Sequence, residues 1–277
     1  MIRFTGHNIL LDNGQKTMGN DVTLLAESGF WKSIEKTVNK FFILNPGQDR
    51  SKVRVVDLGC LEGGYAVEFA RMGFDTLGIE ARETNIEKCN YVKANLHLPN
   101  LNFVQDDVRN IAKYGKFDIT LCYGILYHLN DPIHFINIVS NCTTKIMLLN
   151  THYAPERDII YGLGVIYRYL IYPIQKRIPV LTFRRNYKLS KIEVNEGVRG
   201  RWYFEWNKNE NKKNIEKSLW AAYNNYRSFW PCKIDLIKSL HKAGFDSVFE
   251  QFDFLGDLAP DNYHQYLSRG MFVCFKH

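Results

Sequence analysis

Short apolar runs alternate with amphipathic stretches through the middle of the chain. The runs predict strands at 53–59, 75–81, 101–107, 117–124 and 145–151. Helical periodicity between them predicts helices at 63–73, 84–98 and 131–143. Thr84 is expected to cap the second of these helices, because Glu87 follows it by three residues. Strict alternation of this kind is typical of an α/β fold with a parallel sheet and helices on both faces.

Both ends of the chain extend the pattern. Phe30, Ile34, Val38 and Phe41 recur at helical spacing, so residues 1–50 are expected to form an N-terminal helical cap. The C-terminal pattern predicts one helix followed by two strands, at 233–245, 247–255 and 270–277. Two strands without a helix between them imply an antiparallel hairpin at the edge of the sheet, which then has seven strands.

The segment 151–230 differs from the rest of the chain in composition. It holds 15 Lys and Arg against 7 Asp and Glu, and four of the five tryptophans, in a chain of 277 residues with a formal net charge of +7. This shift indicates an insertion before the last helix, within a single domain expected over residues 1–277. Its stretch "LWAAYNNYRSFWP", at 219–231, is interpreted as an aromatic helix that packs the insertion.

The composition also excludes several kinds of protein. The six cysteines are scattered, whereas a zinc site or a disulfide framework needs clustered spacing, so buried reduced thiols, a cytoplasmic location and no metal are expected. The N-terminal residues are too polar for a signal peptide. Charged residues and Pro173 interrupt the longest apolar stretch, Ile159–Phe183, so no membrane span is expected.

Polar and glycine residues follow the predicted strands, at the sheet edge where open α/β folds bind ligands. Gly59 and Gly63 follow the first strand and allow the backbone to approach a ligand. Glu80 follows the second strand, 23 residues past Asp57, a spacing at which a carboxylate accepts both ribose hydroxyls of a nucleoside. The pair Asp106–Asp107 after the third strand is suited to accept from an adenine amino group. A nucleoside-containing ligand is therefore expected.

At these residues the chain resembles the class I S-adenosylmethionine-dependent methyltransferases. The matching stretches are "DLGCLEGG", "GIEAR", "FVQDDVRN" and "FDITLCYGILYHLNDP". The resemblance covers about Arg54 to Tyr153, together with the closing helix and hairpin, and implies a Rossmann-like methyltransferase fold. In this family, insertions such as 151–230 form a lid over the methyl acceptor. The "YGILYH" stretch is also similar to that of bacterial enzymes that modify the wobble uridine of tRNA.

The resemblance implies a set of S-adenosylmethionine ligands. Asp57 and the loop Gly59–Gly63 are expected around the methionine part, Glu80 at the ribose, and Asp107 with the Val108 backbone at adenine. Tyr123 and Gly124 are expected beside the cofactor. The complete implied set is Asp57, Gly59, Cys60, Leu61, Glu62, Gly63, Glu80, Ala81, Asp107, Val108, Tyr123 and Gly124.

One departure within the glycine loop bears on the kind of nucleotide. Leu61 stands where dinucleotide-binding loops carry a second glycine, and acidic Glu62 follows it. A diphosphate is bound by backbone amides at a helix N-terminus, and a leucine beside a carboxylate would crowd and repel it. S-adenosylmethionine has no phosphate and carries two positive charges, so the loop favours this cofactor.

Two histidines are candidate bases for methyl transfer. His128 follows the fourth strand and His152 ends the fifth, and an imidazole is suited to removing the proton of a hydroxyl during attack. Two alternatives remain open from the sequence: His128 hydrogen-bonds its own loop, or both histidines bind a metal together with Glu196.

Three further residues are candidate acceptor ligands. Arg199 and Arg201 stand beside turn glycines and are suited to bind a phosphate or carboxylate, and Tyr127 adjoins His128. The alternative is that both arginines pair with Glu193, Glu196 or Glu205.

Three functions are compatible with the sequence. The first is O-methylation of a small polar acceptor, anionic or sugar-like, such as a surface-polysaccharide precursor. The second is methylation of RNA, tRNA above all, because basic residues interleaved with aromatics bind phosphates and stack bases. The third is a binding module that retains the fold without activity. The sequence does not define the oligomeric state.

Overall fold

The computed structural model describes residues 2–45, 47–156, 189–218, 220–253 and 268–276. The chain divides into two compact units. The first consists of Met1–Leu126, Phe135–Thr151 and Leu240–His277, and the second of Tyr127–His134 and His152–Ser239. The stretch Ile159–Phe183 and Leu219 lie outside the described residues.

The first unit contains a seven-stranded sheet. Its strands are β1 Arg54–Leu58, β2 Asp75–Glu80, β3 Leu101–Gln105, β4 Phe117–Tyr123, β5 Thr143–His152, β9 Ser247–Gln251 and β10 Arg269–Phe275. Their order is β3-β2-β1-β4-β5-β10-β9. The pairs β1–β2, β1–β4, β2–β3 and β4–β5 are parallel, whereas β9 and β10 are antiparallel. The predicted mostly parallel sheet with an antiparallel C-terminal pair is therefore confirmed.

Helices connect the parallel strands and precede them. They are α1 Gly29–Leu44, α2 Gly64–Arg71, α3 Glu83–Ala94, α4 Pro132–Cys142 and, before β9, α6 Lys233–Lys242. The expectation that Thr84 caps α3 is wrong, because the helix begins one residue earlier and its N-cap is Arg82, without a side-chain cap bond. Gly73, at φ +94°, follows α2 as predicted.

The core of the first unit lies between α1 and the sheet. Trp31, Ile34 and Val38 of α1 are buried in one cluster with Val55 of β1 and Phe69 of α2. Full burial of such a side chain contributes about 1.5–3 kcal/mol to folding. The six cysteines are free and buried, as the sequence predicted. No helix among the described residues is long and apolar enough to cross a membrane.

The register of the parallel strands aligns their carboxyl ends. Leu58 pairs with Ile79, Glu80 with Gln105, and Tyr123 with Asn150. The residues that follow β1, β2, β3 and β4 are therefore brought to one edge of the sheet, which is where ligands bind in folds of this type.

The second unit contains a three-stranded antiparallel sheet. Its strands are β6 Glu193–Asn195, β7 Val198–Phe204 and β8 Arg227–Pro231, in the order β6-β7-β8, and α5 Lys212–Lys217 lies between β7 and β8. Glu196 and Gly197, at φ 51° and 79°, form the two-residue turn of the β6–β7 hairpin. The interpretation of 219–231 as a helix is wrong, because its last five residues, Arg227–Pro231, form β8.

Candidate active site

The loop between β1 and α2 is held in place by hydrogen bonds to residues of β2. The amides of Gly59 and Cys60 both donate to the carbonyl of Ile79, at 2.9 and 3.1 Å. The amide of Leu61 donates to Oε2 of Glu80 at 3.0 Å, with Leu61 itself in the left-handed region at φ 53°. The loop backbone and the Glu80 carboxylate are therefore one hydrogen-bonded arrangement.

Asp57, the next-to-last residue of β1, carries a buried carboxyl group. The amide of Ala66 donates to it, while Oδ2 has no hydrogen-bond partner among the described residues. Burial, and to a smaller extent the nearby charge of Glu80, raises the pKa of Asp57 from 3.8 to about 7. An unpaired buried acceptor of this kind is suited to a cationic donor such as an ammonium group.

Glu80 lies at the end of β2, with 7% of its surface exposed. Besides the Leu61 amide it accepts from the amide of Arg82, at 2.8 Å from Oε1. Burial raises the pKa of Glu80, and these two amides, the charge of Arg82 and a hydrogen bond from the Asn85 side chain oppose the shift. A carboxylate has about four acceptor sites, so Glu80 can still accept from a ribose hydroxyl beside these three donors.

Glu62 has a role that the sequence did not suggest. Its carboxylate is fully buried and accepts from the amides of Thr5, Gly6 and His7 at 2.8–2.9 Å. Lys88 donates to it at 2.7 Å. The side chain therefore binds the N-terminal segment, and the expectation that its charge repels a diphosphate at the loop is wrong, because Lys88 and the three amides compensate that charge.

His7 completes this connection to the loop. Its Nδ1 accepts from the amide of Gly64, the first residue of α2, at 3.0 Å. Burial lowers the pKa of His7 to about 4, so the ring is neutral and able to accept. His7 could not be predicted from the sequence, because nothing in the spacing of residues 5–7 relates them to the loop.

The carboxyl ends of β3 and β4 supply the remaining expected ligands. Asp106 is occupied within its own loop, where it accepts from Asn110, Lys113 and Tyr114, and these contacts lower its pKa to about 2. Asp107 caps the 3-10 turn Val108–Tyr114 through the Arg109 amide and also pairs with the Arg109 side chain at 3.1 Å. Both carboxylates are therefore engaged within this loop, and the adenine role of Asp107 stays a prediction.

The β4 end lies beside the α2 helix. The ring of Tyr123 contacts that of Tyr65 edge-on, with centroids 5.8 Å apart, and the amide of Gly124 donates to the carbonyl of Asn150 at 3.0 Å. Asn150 accepts from Arg269 at 2.8 Å, while its Nδ2 has no partner among the described residues. Ala81, after β2, accepts from Gln105 through its carbonyl.

The polar groups of this edge fit S-adenosylmethionine. The open acceptor of Asp57 suits its ammonium group, and the two oxygens of Glu80 suit its ribose. Two further buried atoms, Asn85 Oδ1 and Asn150 Nδ2, also lack partners among the described residues. Cys60 is a packing residue, because burial raises the pKa of its thiol well above the ordinary value and its Sγ lies 3.9 Å from that of Cys89.

The candidate base His128 belongs to the second unit and is paired with a carboxylate. Its Nδ1 lies 2.9 Å from Oε1 of Glu205, whose side chain is 3% exposed. Oε1 also accepts from the Ser228 hydroxyl at 2.8 Å, and Oε2 accepts from the amide of Ala222 at 3.3 Å. His128 therefore does more than hydrogen-bond its own loop, which was one alternative left open by the sequence. Glu205, considered from the sequence as a partner of an arginine, pairs with His128 instead.

The candidate base His152 is packed among aromatic rings. Its ring stacks on Trp230, with centroids 4.7 Å apart and planes at 10°, and contacts the Tyr127 ring edge-on at 4.7 Å. Tyr203 stacks on Trp230 at 4.7 Å. This buried arrangement favours a packing role for His152 and for Tyr127, whose carbonyl accepts from the Trp230 indole at 2.9 Å.

The two candidate arginines are engaged in structural contacts. Arg201 is buried and donates to the carbonyls of Pro155 and Ser190, both at 2.9 Å. Arg199 pairs with Asp235 at 3.0 Å and with Glu156 at 3.6 Å. The expectation that they bind an anionic acceptor is therefore not supported, and their partners also differ from the three glutamates considered from the sequence.

The alternative metal site is not assembled. The Glu196 carboxylate accepts from the amides of Ile133 and His134, at the start of α4, and so caps that helix. Among the residues that the structure describes, no three His, Cys, Asp or Glu side chains are grouped as metal ligands.

The strand order and the loop–carboxylate arrangement at the ends of β1 and β2 define a class I S-adenosylmethionine-dependent methyltransferase domain. Residues 49–158 match the family model described as a methyltransferase domain. The match covers 110 of the chain's 277 residues and supports S-adenosylmethionine-dependent methyl transfer, with S-adenosylmethionine as the cofactor.

Curated relatives carry two kinds of name. The chain is 28% identical over 120 residues to the ubiquinone biosynthesis O-methyltransferase of Rickettsia canadensis, a match that covers 42% of this chain and 50% of the relative. It is 30% identical over 98 residues to the tRNA U34 carboxymethyltransferase of Campylobacter hominis, covering 34% and 33%. The chain thus spans about half the length, or less, of these relatives.

A solved structure is similar over nearly the whole chain. It is the N-terminal domain of EvdMO1 with SAH bound, with a TM-score of 0.61, 18% identity, and coverage of 98% of this chain and 90% of that one. At this level of identity the similarity concerns the fold.

Proposed function

We propose that the protein transfers a methyl group from S-adenosylmethionine to a hydroxyl oxygen of a small polar acceptor. The observation that carries the proposal is the pairing of His128 with buried Glu205. A base held in this way serves a hydroxyl acceptor, whose proton must be removed during attack. Because Arg199 and Arg201 are engaged in structural contacts, neither supports an anionic acceptor, and we favour a polar hydroxyl compound such as a sugar or a surface-polysaccharide precursor. The relatives named O-methyltransferases agree with this chemistry.

Each residue then has a defined task. When bound, S-adenosylmethionine would supply a methyl group carried on a cationic sulfur, and that sulfur would leave as a neutral thioether. Asp57 and Glu80 orient the cofactor through its ammonium group and its ribose. His128 takes the proton of the acceptor hydroxyl on Nε2 as the oxygen–methyl bond forms, so the charge lost at sulfur appears on the imidazole. The gain expected from such a base is about 10²–10⁴-fold in rate.

Calorimetric titration with S-adenosylmethionine tests the cofactor assignment. Glu80→Gln should weaken binding by about 10–100-fold, because a charge-assisted bond to the ribose is worth about 1.5–3 kcal/mol. Glu83→Gln is the matched control, since it removes the same charge from an exposed position three residues on. Wild-type affinity in Glu80→Gln would refute the ribose assignment, and no binding by the wild type would refute the function.

Transfer of a labelled methyl group tests the acceptor class. One structurally similar domain was crystallised in the presence of SAH and D-fucose, and we take from it only the choice of a sugar probe. Label is expected in an O-methyl ether of a panel of sugars that includes D-fucose. Label in mixed tRNA alone would support the RNA methyltransferase alternative, which the Campylobacter relative motivates. Cofactor binding without turnover on any acceptor would support the inactive binding module.

A further inference from the structure

We infer that Glu205 is a positioning residue that fixes the tautomer of His128, so that Nε2 is the nitrogen that accepts the substrate proton. This inference rests on the proposed role of His128 as the base and adds a residue to it. Glu205 lies 77 positions from His128 in sequence, and its Oε1 is 2.9 Å from Nδ1 of the imidazole.

The chemistry of the pair determines which nitrogen carries the hydrogen. An ionised carboxylate only accepts, so Nδ1 must donate, and in a neutral imidazole the lone pair is then on Nε2. No described residue forms a hydrogen bond with Nε2 of His128 in the structure. The pair thus has the logic of a base oriented by a buried carboxylate, as in hydrolase triads.

The surroundings of Glu205 keep its carboxylate in place. Oε1 accepts from the Ser228 hydroxyl, and Oε2 from the Ala222 amide. The backbone of His128 is held separately, because Asn225 Nδ2 donates to its carbonyl at 2.9 Å. Hydrogen bonds to other residues therefore hold both the Glu205 carboxylate and the His128 backbone in place, as a contact that sets a tautomer requires.

These contacts make Glu205→Gln a sharp test. The amide of Ala222 can only donate, so the glutamine carbonyl oxygen must take the position of Oε2. The glutamine NH₂ then takes the position of Oε1 and donates to Nδ1 of His128, while the Ser228 hydroxyl rotates to accept. The substitution should therefore move the histidine hydrogen to Nε2 and remove the lone pair that the base needs.

The experiment is nitrogen NMR on the ligand-free full chain with ¹⁵N-labelled histidine, at about pH 8.5, where an ordinary imidazole is neutral. His128→Gln assigns the signals. We expect protonated Nδ1 in the wild type, protonated Nε2 in Glu205→Gln, and the wild-type tautomer in the matched control Ser228→Ala, which leaves the carboxylate intact.

Two outcomes would overturn the inference, and one of them does not depend on Glu205→Gln. Protonated Nε2 in the wild type would show that Glu205 does not set the tautomer, even if Glu205→Gln failed to fold. An unchanged tautomer in folded Glu205→Gln would show the same. The expected tautomers together with unimpaired methyl transfer by His128→Gln would instead refute the proposed base and leave the positioning contact standing.

Discussion

At the scale of single residues, Asp57 couples cofactor binding to pH. Its pKa is about 7 in the ligand-free protein because the carboxyl is buried, whereas an adjacent ammonium group favours the ionised form. The affinity for S-adenosylmethionine should therefore rise with pH to about 7.5 and fall by up to about tenfold per unit below 7. Asp57→Asn should bind more weakly and lose this dependence. Calorimetry at a series of pH values checks it, and a pH-independent wild type would contradict the assignment.

Ionisation of the Asp57 carboxyl, which favours cofactor binding, lowers the stability of the ligand-free fold. The folded-state pKa lies above the ordinary value of 3.8, so between about pH 4 and 7 the unfolded state gives up its proton first. The stability contributed by the protonated carboxyl is present below about pH 4 and is lost as the pH rises through about 7. Asp57→Asn should consequently have a higher Tm than the ligand-free wild type at about pH 8, and an equal or lower Tm would argue against the raised pKa.

A glycine is required at position 63 both by the backbone conformation and by the closeness of a neighbouring side chain. Gly63 has φ +81°, and a Cβ there would lie 2.6 Å from the Phe103 ring. Gly14 has the same φ with nothing within 4 Å, so Gly14→Ala is the matched control and should cost about 1–2 kcal/mol of unfolding free energy. Gly63→Ala should cost a further 1–3 kcal/mol, roughly, from overpacking. Denaturant unfolding measures both, and equal costs would mean that Phe103 moves aside freely.

At the scale of elements, the N-terminal segment is held to the β1–α2 loop by one buried carboxylate. Glu62→Gln would place an NH₂ group against amides that can only donate and would leave Lys88 buried without its partner. The expected loss of unfolding free energy is about 3–5 kcal/mol, with faster hydrogen exchange at residues 5–7. Asp75→Asn, which breaks an exposed pair with Arg54, should cost at most about 1 kcal/mol. Unchanged exchange at residues 5–7 would contradict the contact.

Elements were predictable where burial follows a period. The strands and helices between Val53 and Thr151 lie within a few residues of their predicted bounds, because helices on both faces of a parallel sheet leave continuous apolar runs. The strand within 219–231 was not predictable, because Phe229 and Trp230 of β8 are both buried, so apolar and polar residues do not alternate there. Asp57 and Glu80, the proposed cofactor carboxylates, lie at the carboxyl ends of β1 and β2, where the sequence pattern predicted a ligand edge. No spacing in the sequence relates Glu205 to His128.

At the scale of the whole molecule, charge separates the two proposed acceptors. The formal net charge is +7, and seven of the fifteen basic residues of 151–230 fall within 157–188, outside the described residues. Of the other eight, Arg199 is paired with two carboxylates, Arg201 donates to carbonyls, and Arg227 lies 4.0 Å over the Trp202 ring, while the remaining five are exposed lysines. Charge that is already paired contributes little to counterion release, which dominates nucleic-acid affinity.

This distribution predicts only weak, salt-sensitive binding of RNA. In a gel-shift titration with mixed tRNA, any complex seen at about 50 mM salt should be lost by about 200 mM, because non-specific contacts to phosphates lose orders of magnitude in affinity over that range. S-adenosylmethionine affinity should change far less over the same range, since Asp57 and Glu80 are buried. A tRNA complex that persists at about 200 mM salt and accepts labelled methyl groups would instead favour RNA as the substrate.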